Sequence, residues 1–220
     1  MDKEEIAKKY NIDLEKLKAE QEKLYKTLSL KDSVNFDEIS YVGGCFNVFH
    51  ENKIISGIVV FDVSQEELEV IEEKYHSDKL RFPYISGFRA YREMEAMINC
   101  FHSLEKRPEL MFINGHGAAH VLGLASHFSL STNIPCVGIA DENLDAEIKK
   151  EDMLIDGKKV GKVVLTKENS KPVYVSPGNN ISVDSAVEMT KKFVVKPHKL
   201  PFPLRAAQRY VKGVRGELFR

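Results

Sequence analysis

The side chains best placed to do chemistry lie in the run 110–130. Residues 110–113 (Leu-Met-Phe-Ile) read as a buried strand, Asn114-Gly-His-Gly as a turn too rich in glycine to be core, and Ala118 onward as a helix by its apolar periodicity. A polar residue at the end of a buried strand, followed by two glycines and a helix, presents a side chain to a ligand. That residue is Asn114, with His116 and His120 close behind it in sequence. A second candidate is Glu93, in the first turn of a helix read from Met94, Met97, Ile98, Phe101 and Leu104, where the dipole favours a carboxylate. On spacing alone, an ordinary first-turn glutamate is its plainer reading. Cys45, Cys100 and Cys136 are widely spaced with no Cys-x-x-Cys pair, which implies reduced thiols in an intracellular protein without structural zinc. His102 and His127 fall within helical periodicity and read as packing or surface residues.

These residues need a frame. Leu14, Leu17, Leu24, Tyr25 and Leu28 form one side of a helix over 13–28, capped by Asp13. Residues 39–48 and the β-branched run 53–63 predict a hairpin, and 68–76 a third antiparallel strand, although its glutamates also suit a helix. The broken segment 81–88 leads into the Glu93 helix, 89–104, which the proline forbids from starting early. Residues 134–140 predict a second buried strand, parallel to 110–113, and 160–165 with 173–176 a further hairpin. Helices are expected from the Ser182 cap to about Phe193 and over 204–212. The order gives a mixed α/β sheet with helices on its faces, whose chemistry lies beyond the strand C-termini near Cys45 and Asn114.

With 43% hydrophobic residues in 220, the chain suits one domain spanning 1–220. A net charge of −1 provides no global basic field, so contact with nucleic acid would rest on local patches. The charged N-terminus and the lack of any long apolar run imply a cytoplasmic protein without a membrane anchor, and a monomer is favoured.

A set of motifs in fixed order resembles the endonuclease V family. It comprises Tyr41-Val-Gly-Gly-Cys45, Pro83-Tyr-Ile-Ser-Gly-Phe88, Tyr91-Arg-Glu93 and Asn114-Gly-His-Gly, then His120 and Gly123-Leu-Ala-Ser-His127. It continues with Val137-Gly-Ile-Ala140, Ser176-Pro-Gly178, Ile181-Ser-Val-Asp-Ser-Ala186 and Leu200-Pro-Phe-Pro-Leu-Arg205. The resemblance implies a ribonuclease H-like fold, three antiparallel strands followed by parallel ones with helices on both faces. It implies DNA or RNA as partner, metal-assisted phosphodiester hydrolysis near inosine with Mg²⁺ or Mn²⁺, a strand-prying wedge of Pro83, Tyr84 and Ile85, and a flipped-base pocket. The pocket residues so implied are Gly87, Gly115, His116, Gly117, His120 and Leu144.

The departures are systematic. Where the resemblance implies an aspartate on the first strand, the residue is Cys45, and the strand-end aspartate is Asn114. The expected C-terminal histidine or aspartate is Gln208, a lysine is Asp141, and a histidine after Ser176-Pro-Gly is Asn179. Glu93 is the acidic ligand retained, with Asn114 as its weak companion. Mg²⁺ wants charged oxygens, so impaired or lost cleavage with retained recognition of inosine or another deaminated or distorted site is the leading expectation, with Mg²⁺ or Mn²⁺ called for if the protein is active and no cofactor otherwise. An active metal-dependent endonuclease and a protein-interaction scaffold are the alternatives. A zinc site from Cys45, His116, Glu93 and Asn114 is a weaker reading, since these lie on separate elements. Lys158, Lys159, Lys167, Lys171, Lys191, Lys192, Lys196 and Arg205 form either a phosphate-contacting rim or a solvated face.

Overall fold

The computed structural model describes residues 2–65 and 67–220. Two helices open the chain, α1 (Lys3–Lys9) and α2 (Leu14–Tyr25). Asp2 accepts from the Glu5 amide while the Glu5 carboxylate accepts from the Asp2 amide, a reciprocal cap that the sequence reading overlooked. Asp13 caps α2 as anticipated.

Strands β1 (Tyr41–His50), β2 (Lys53–Asp62) and β3 (Glu69–Lys79) form the antiparallel meander. After α3 (Arg89–His102), β4 (Leu110–Asn114) pairs in parallel with β1. Helix α4 (Leu124–Thr132) leads to β5 (Cys136–Ala140), which is parallel to β4. Then come β6 (Glu147–Lys149), β7 (Asp152–Ile155), β8 (Lys158–Val164) and β9 (Val173–Pro177), followed by α5 (Val183–Phe193) and α6 (Phe202–Leu218). Among the described residues, nine strands make one sheet in the order β3-β2-β1-β4-β5-β9-β8-β7-β6. The mixed sheet, antiparallel then parallel, is the expected fold.

Alternation along the strands sorts the core onto two faces. Val42, Leu110, Phe112, Val137 and Ile139 pack with Ala186, Met189 and Phe193 of α5 and Leu204 of α6. Cys45, Met111, Ile113 and Cys136 pack with Met97, Cys100 and Phe101 of α3 and Phe128 of α4. Helices therefore cover both faces, and the C-terminal ends of β4 and β5 open between them. No helix among the described residues is long and apolar enough to cross a membrane.

Two expectations need correction. The helix after the glycine turn begins at Leu124, not Ala118, because residues 118–123 form tight turns with Leu122 at φ +52°. That segment is pressed against β9, where the Ala118 amide bonds the Pro177 carbonyl at 2.7 Å. The strands β6 and β7 lie where no element was read. Their sheet edge is largely exposed, so they lack an apolar pattern; the Asp156-Gly157 turn before β8, both residues at positive φ, was the available signal.

Candidate functional site

Beyond the ends of β4 and β5 lies a cleft of about 670 Å³. One wall is residues 84–87 with the start of α3, the other is Ala140, Asp141, Glu142 and Leu144, and the floor holds Glu93, Asn114, Gly115 and His116. Tyr84 stands out at the edge with 64% of its surface exposed. Its neighbour Ile85 is 2% exposed and packs with Ala7, Leu14 and Phe88. Within the expected wedge, Tyr84 is therefore the protruding side chain, and Ile85 is buried at the base of the loop. Gly87 turns the loop back into α3 with φ +86°, a conformation that suits glycine.

Glu93 is the fifth residue of α3, one turn deeper than the first-turn position expected, and is 2% exposed. Its carboxylate owes its place to partners, not to the helix dipole. Arg89 donates Nε to Oε1 at 2.5 Å and Nη2 to Oε2 at 3.1 Å, and Asn47 of β1 donates Nδ2 to Oε2 at 2.7 Å. Burying a carboxylate is costly unless it is paired, and Arg89 supplies the pairing. Arg92, also lining the cleft, donates to the Phe82 carbonyl at 2.8 Å and lies over the Phe49 ring.

The histidines divide by protonation. His116 faces the cleft, and burial pushes its pKa below the ordinary histidine value. It is then neutral at pH 7, donates Nε2–H to the Glu142 carbonyl at 2.7 Å, and keeps Nδ1 as an acceptor. His120 lies behind the cleft wall. Burial lowers its pKa, but the Asp145 carboxylate on Nδ1 and the Gly87 carbonyl on Nε2 at 3.0 Å outweigh burial and raise it. With an acceptor on each nitrogen, His120 is an imidazolium tying the two cleft walls together. Gly117, also assigned to the pocket, is buried below it; a β-carbon there would meet the Pro177 carbonyl oxygen at 2.1 Å.

Cys45 is not at the cleft. It is 1% exposed, its thiol contacts the Ser56 hydroxyl at 3.6 Å, and burial pushes its pKa to about 12 despite that contact. Its parallel partner is Ile113, so the next residue, Phe46, comes alongside Asn114, and Phe46 packs toward the α5 and α6 face that Asn114 shares by alternation. The first-strand residue beside Asn114 is thus apolar. None of the basic residues assigned to a rim lines the cleft, and Lys159 and Lys192 are paired with Asp184 and Asp37. Arg89, Arg92 and Asn47 were missed; the Arg89 to Glu93 spacing of four residues within a helix was the legible signal. Gln208 lies half-buried on α6.

The family model described as Endonuclease V matches residues 22–209. The chain belongs to the endonuclease V family. Endonuclease V of Archaeoglobus fulgidus is 34% identical over 214 residues, covering 94% of this chain and 96% of the relative. The crystal structure of endonuclease V from Bacillus subtilis superposes with a TM-score of 0.86 at 26% identity, covering 94% and 93% of the two chains. The Ciona intestinalis endonuclease V structure, solved with a 24mer DNA containing an inosine, shares the fold with a TM-score of 0.83 at 21% identity over 93% and 98% of the chains.

A catalytic metal of an endonuclease V would need charged oxygens in the floor of this cleft. Among the described residues, no three His, Cys, Asp or Glu side chains converge to hold a metal ion. Glu93 has both oxygens bonded to Arg89 and Asn47, Asn114 is uncharged, and the β1 residue beside it is Phe46. Asn47 Oδ1 is buried without a partner, but it too is neutral. This donor set does not fit Mg²⁺, and the Cys45 thiol, buried and protonated, does not fit Zn²⁺.

Proposed function

We propose that this endonuclease V family member binds nucleic acid at inosine or another deaminated or distorted site, with hydrolysis of the phosphodiester lost or strongly impaired. The observation that carries this reading is the state of Glu93, which among the described residues is the acidic side chain of the cleft floor and whose two oxygens are already bonded to Arg89 and Asn47. The recognition half rests on Tyr84, exposed at the mouth of a cleft large enough for a base. A base leaving the stack finds an aromatic surface in Tyr84 and, in the floor, the Nδ1 acceptor of neutral His116. Hypoxanthine offers an N–H donor at N1 where adenine offers an acceptor, so an acceptor in the floor favours the deaminated base. The cost of flipping, on the order of a few kcal/mol and lowest at a mismatch, adds selectivity before any contact is made.

The test pairs binding with nicking. Fluorescence polarisation should show tighter binding of inosine-containing DNA or RNA than of matched strands, and a nicking assay with Mg²⁺ and with Mn²⁺ should show no product that Glu93→Gln removes. Equal, negligible affinity for both strands would sink the recognition reading; a Glu93-dependent nick would sink the loss of cleavage.

A further inference from the structure

The disagreement between the donor set and a divalent cation has a physical counterpart in what occupies the floor. Glu93 carries one negative charge and Arg89 cancels it, so the innermost part of the site is balanced without metal. Arg92 adds a further positive charge on the same side of the cleft. A divalent cation entering here would face two guanidinium groups and one carboxylate that is already bonded. An anion meets the opposite situation.

The geometry of Arg89 suits an anion. Nε and one N–H of Nη2 are used on Glu93, which holds the guanidinium plane still. Nη1 makes no hydrogen bond among the described residues, and it lies 3.2 Å from where a β-carbon of Gly115 would stand, so the missing side chain at Gly115 leaves its approach open. The side chain keeps about a third of its surface exposed, 36%, against 2% for Glu93. A guanidinium fixed on one edge by a carboxylate and open on the other is preorganised for a phosphate oxygen. The opposite wall carries Asp141 and Glu142, of which Asp141 is already bonded to Lys199.

We propose that Arg89 takes the place of a divalent cation in this cleft: it neutralises Glu93 and offers its free N–H groups to a phosphodiester of the bound strand, so that binding requires no metal. The phosphodiester half rests on the reading of the cleft as a nucleic-acid site; the exclusion of the cation does not.

Two measurements on the folded protein decide it. Electron paramagnetic resonance of free Mn²⁺ should show no binding to the wild type that Glu93→Gln removes. Asn114→Asp, which adds a carboxylate to the cleft that the pair lines, should still bind weakly, while Asn114→Asp combined with Arg89→Leu should bind Mn²⁺ about tenfold or more tightly than Asn114→Asp alone. The affinity of the wild type for inosine-containing DNA should be the same in EDTA and in Mg²⁺, and should fall about tenfold in Arg89→Leu. Arg89→Leu leaves Glu93 buried and unpaired, so the neutral pair Arg89→Leu with Glu93→Gln is measured beside it and should show the same loss. Glu93-dependent Mn²⁺ binding by the wild type, equal Mn²⁺ affinity with and without Arg89, affinity for DNA that collapses in EDTA, or unchanged DNA affinity in the neutral pair would each overturn the assignment. Absence of DNA binding in both EDTA and Mg²⁺ would remove the phosphodiester half with the reading of the cleft, and the Mn²⁺ comparison would still decide whether Arg89 excludes the cation.

Discussion

Lys199 donates from Nζ to Asp141 Oδ1 at 2.8 Å, bringing an ammonium from the loop before α6 to the cleft position where the family resemblance implies a lysine. Asp141 is three-quarters exposed (73%), so the pair is screened and the carboxylate's negative charge still faces the cleft. Asp141→Asn should therefore raise affinity for nucleic acid about two- to fivefold at low salt, by removing a like charge and freeing Lys199. The gain should shrink as salt is added. A polarisation titration at two salt concentrations measures it, and a loss of affinity in the variant would mean that Asp141 contacts the ligand favourably.

Tyr84 and Ile85 are adjacent and opposite in role. Tyr84→Ala should leave the melting temperature unchanged, because the ring is mostly exposed, and should weaken binding of an inosine strand by about 1 to 3 kcal/mol, the usual worth of base stacking on an aromatic ring. Ile85→Ala should destabilise the fold by roughly 2 to 5 kcal/mol, because Ile85 is buried against Phe88, Ala7 and Leu14. Thermal melts and binding curves of the two variants should therefore be reversed in rank. The same rank in both assays would mean that Tyr84 does not stack on a base.

Much of this arrangement could be read from residues alone, and the reasons the rest could not are specific. The sheet was legible because the β-branched run in β2 and the apolar runs in β4 and β5 have no helical alternative of the same length. The cleft was legible because a polar residue ends β4 and glycines follow. That Cys45 stays out of it was not, since Cys45 and Phe46 differ only in which side of the sheet α3 and α6 cover, and neither lines the cleft. Arg89 was hidden for a different reason: a residue four before a glutamate on a helix is usually a surface pair, and only the burial of Glu93 makes it the centre of the site. The turns at 118–123 depend on contact with β9, far away in sequence.

The three cysteines should be inert in the native protein. All are buried, and burial holds the Cys45 thiol at about 12 and pushes Cys100 and Cys136 up as well. At pH 8 none carries appreciable thiolate, which is the reactive species. A thiol-titrating reagent should count no thiols in buffer and three in denaturant. Rapid labelling of Cys45 in the native state would show that β1 opens toward the cleft and would revive it as a candidate ligand.

His120 sets a pH dependence whose sign follows from its two acceptors. The Asp145 carboxylate and the Gly87 carbonyl raise its pKa above 6.5 against the pull of burial, so the charged form is favoured in the folded state. Its contribution to stability is then complete below pH 6.5 and is lost as pH rises through its elevated value. Asp145 has the reciprocal behaviour. His120 lowers its pKa below 3.8, and that contribution is present above 3.8 and lost as pH falls through the depressed value. The tie between the 84–87 wall and the 145 segment should therefore be tightest between those limits and should loosen as pH rises through the elevated value of His120. His120→Gln should remove this loss of wild-type stability with rising pH and flatten the fall in inosine-strand affinity over the same range. Melting temperatures and binding constants from pH 5 to 9 on both proteins would check it, and a variant curve parallel to the wild type would show that another group governs the loss.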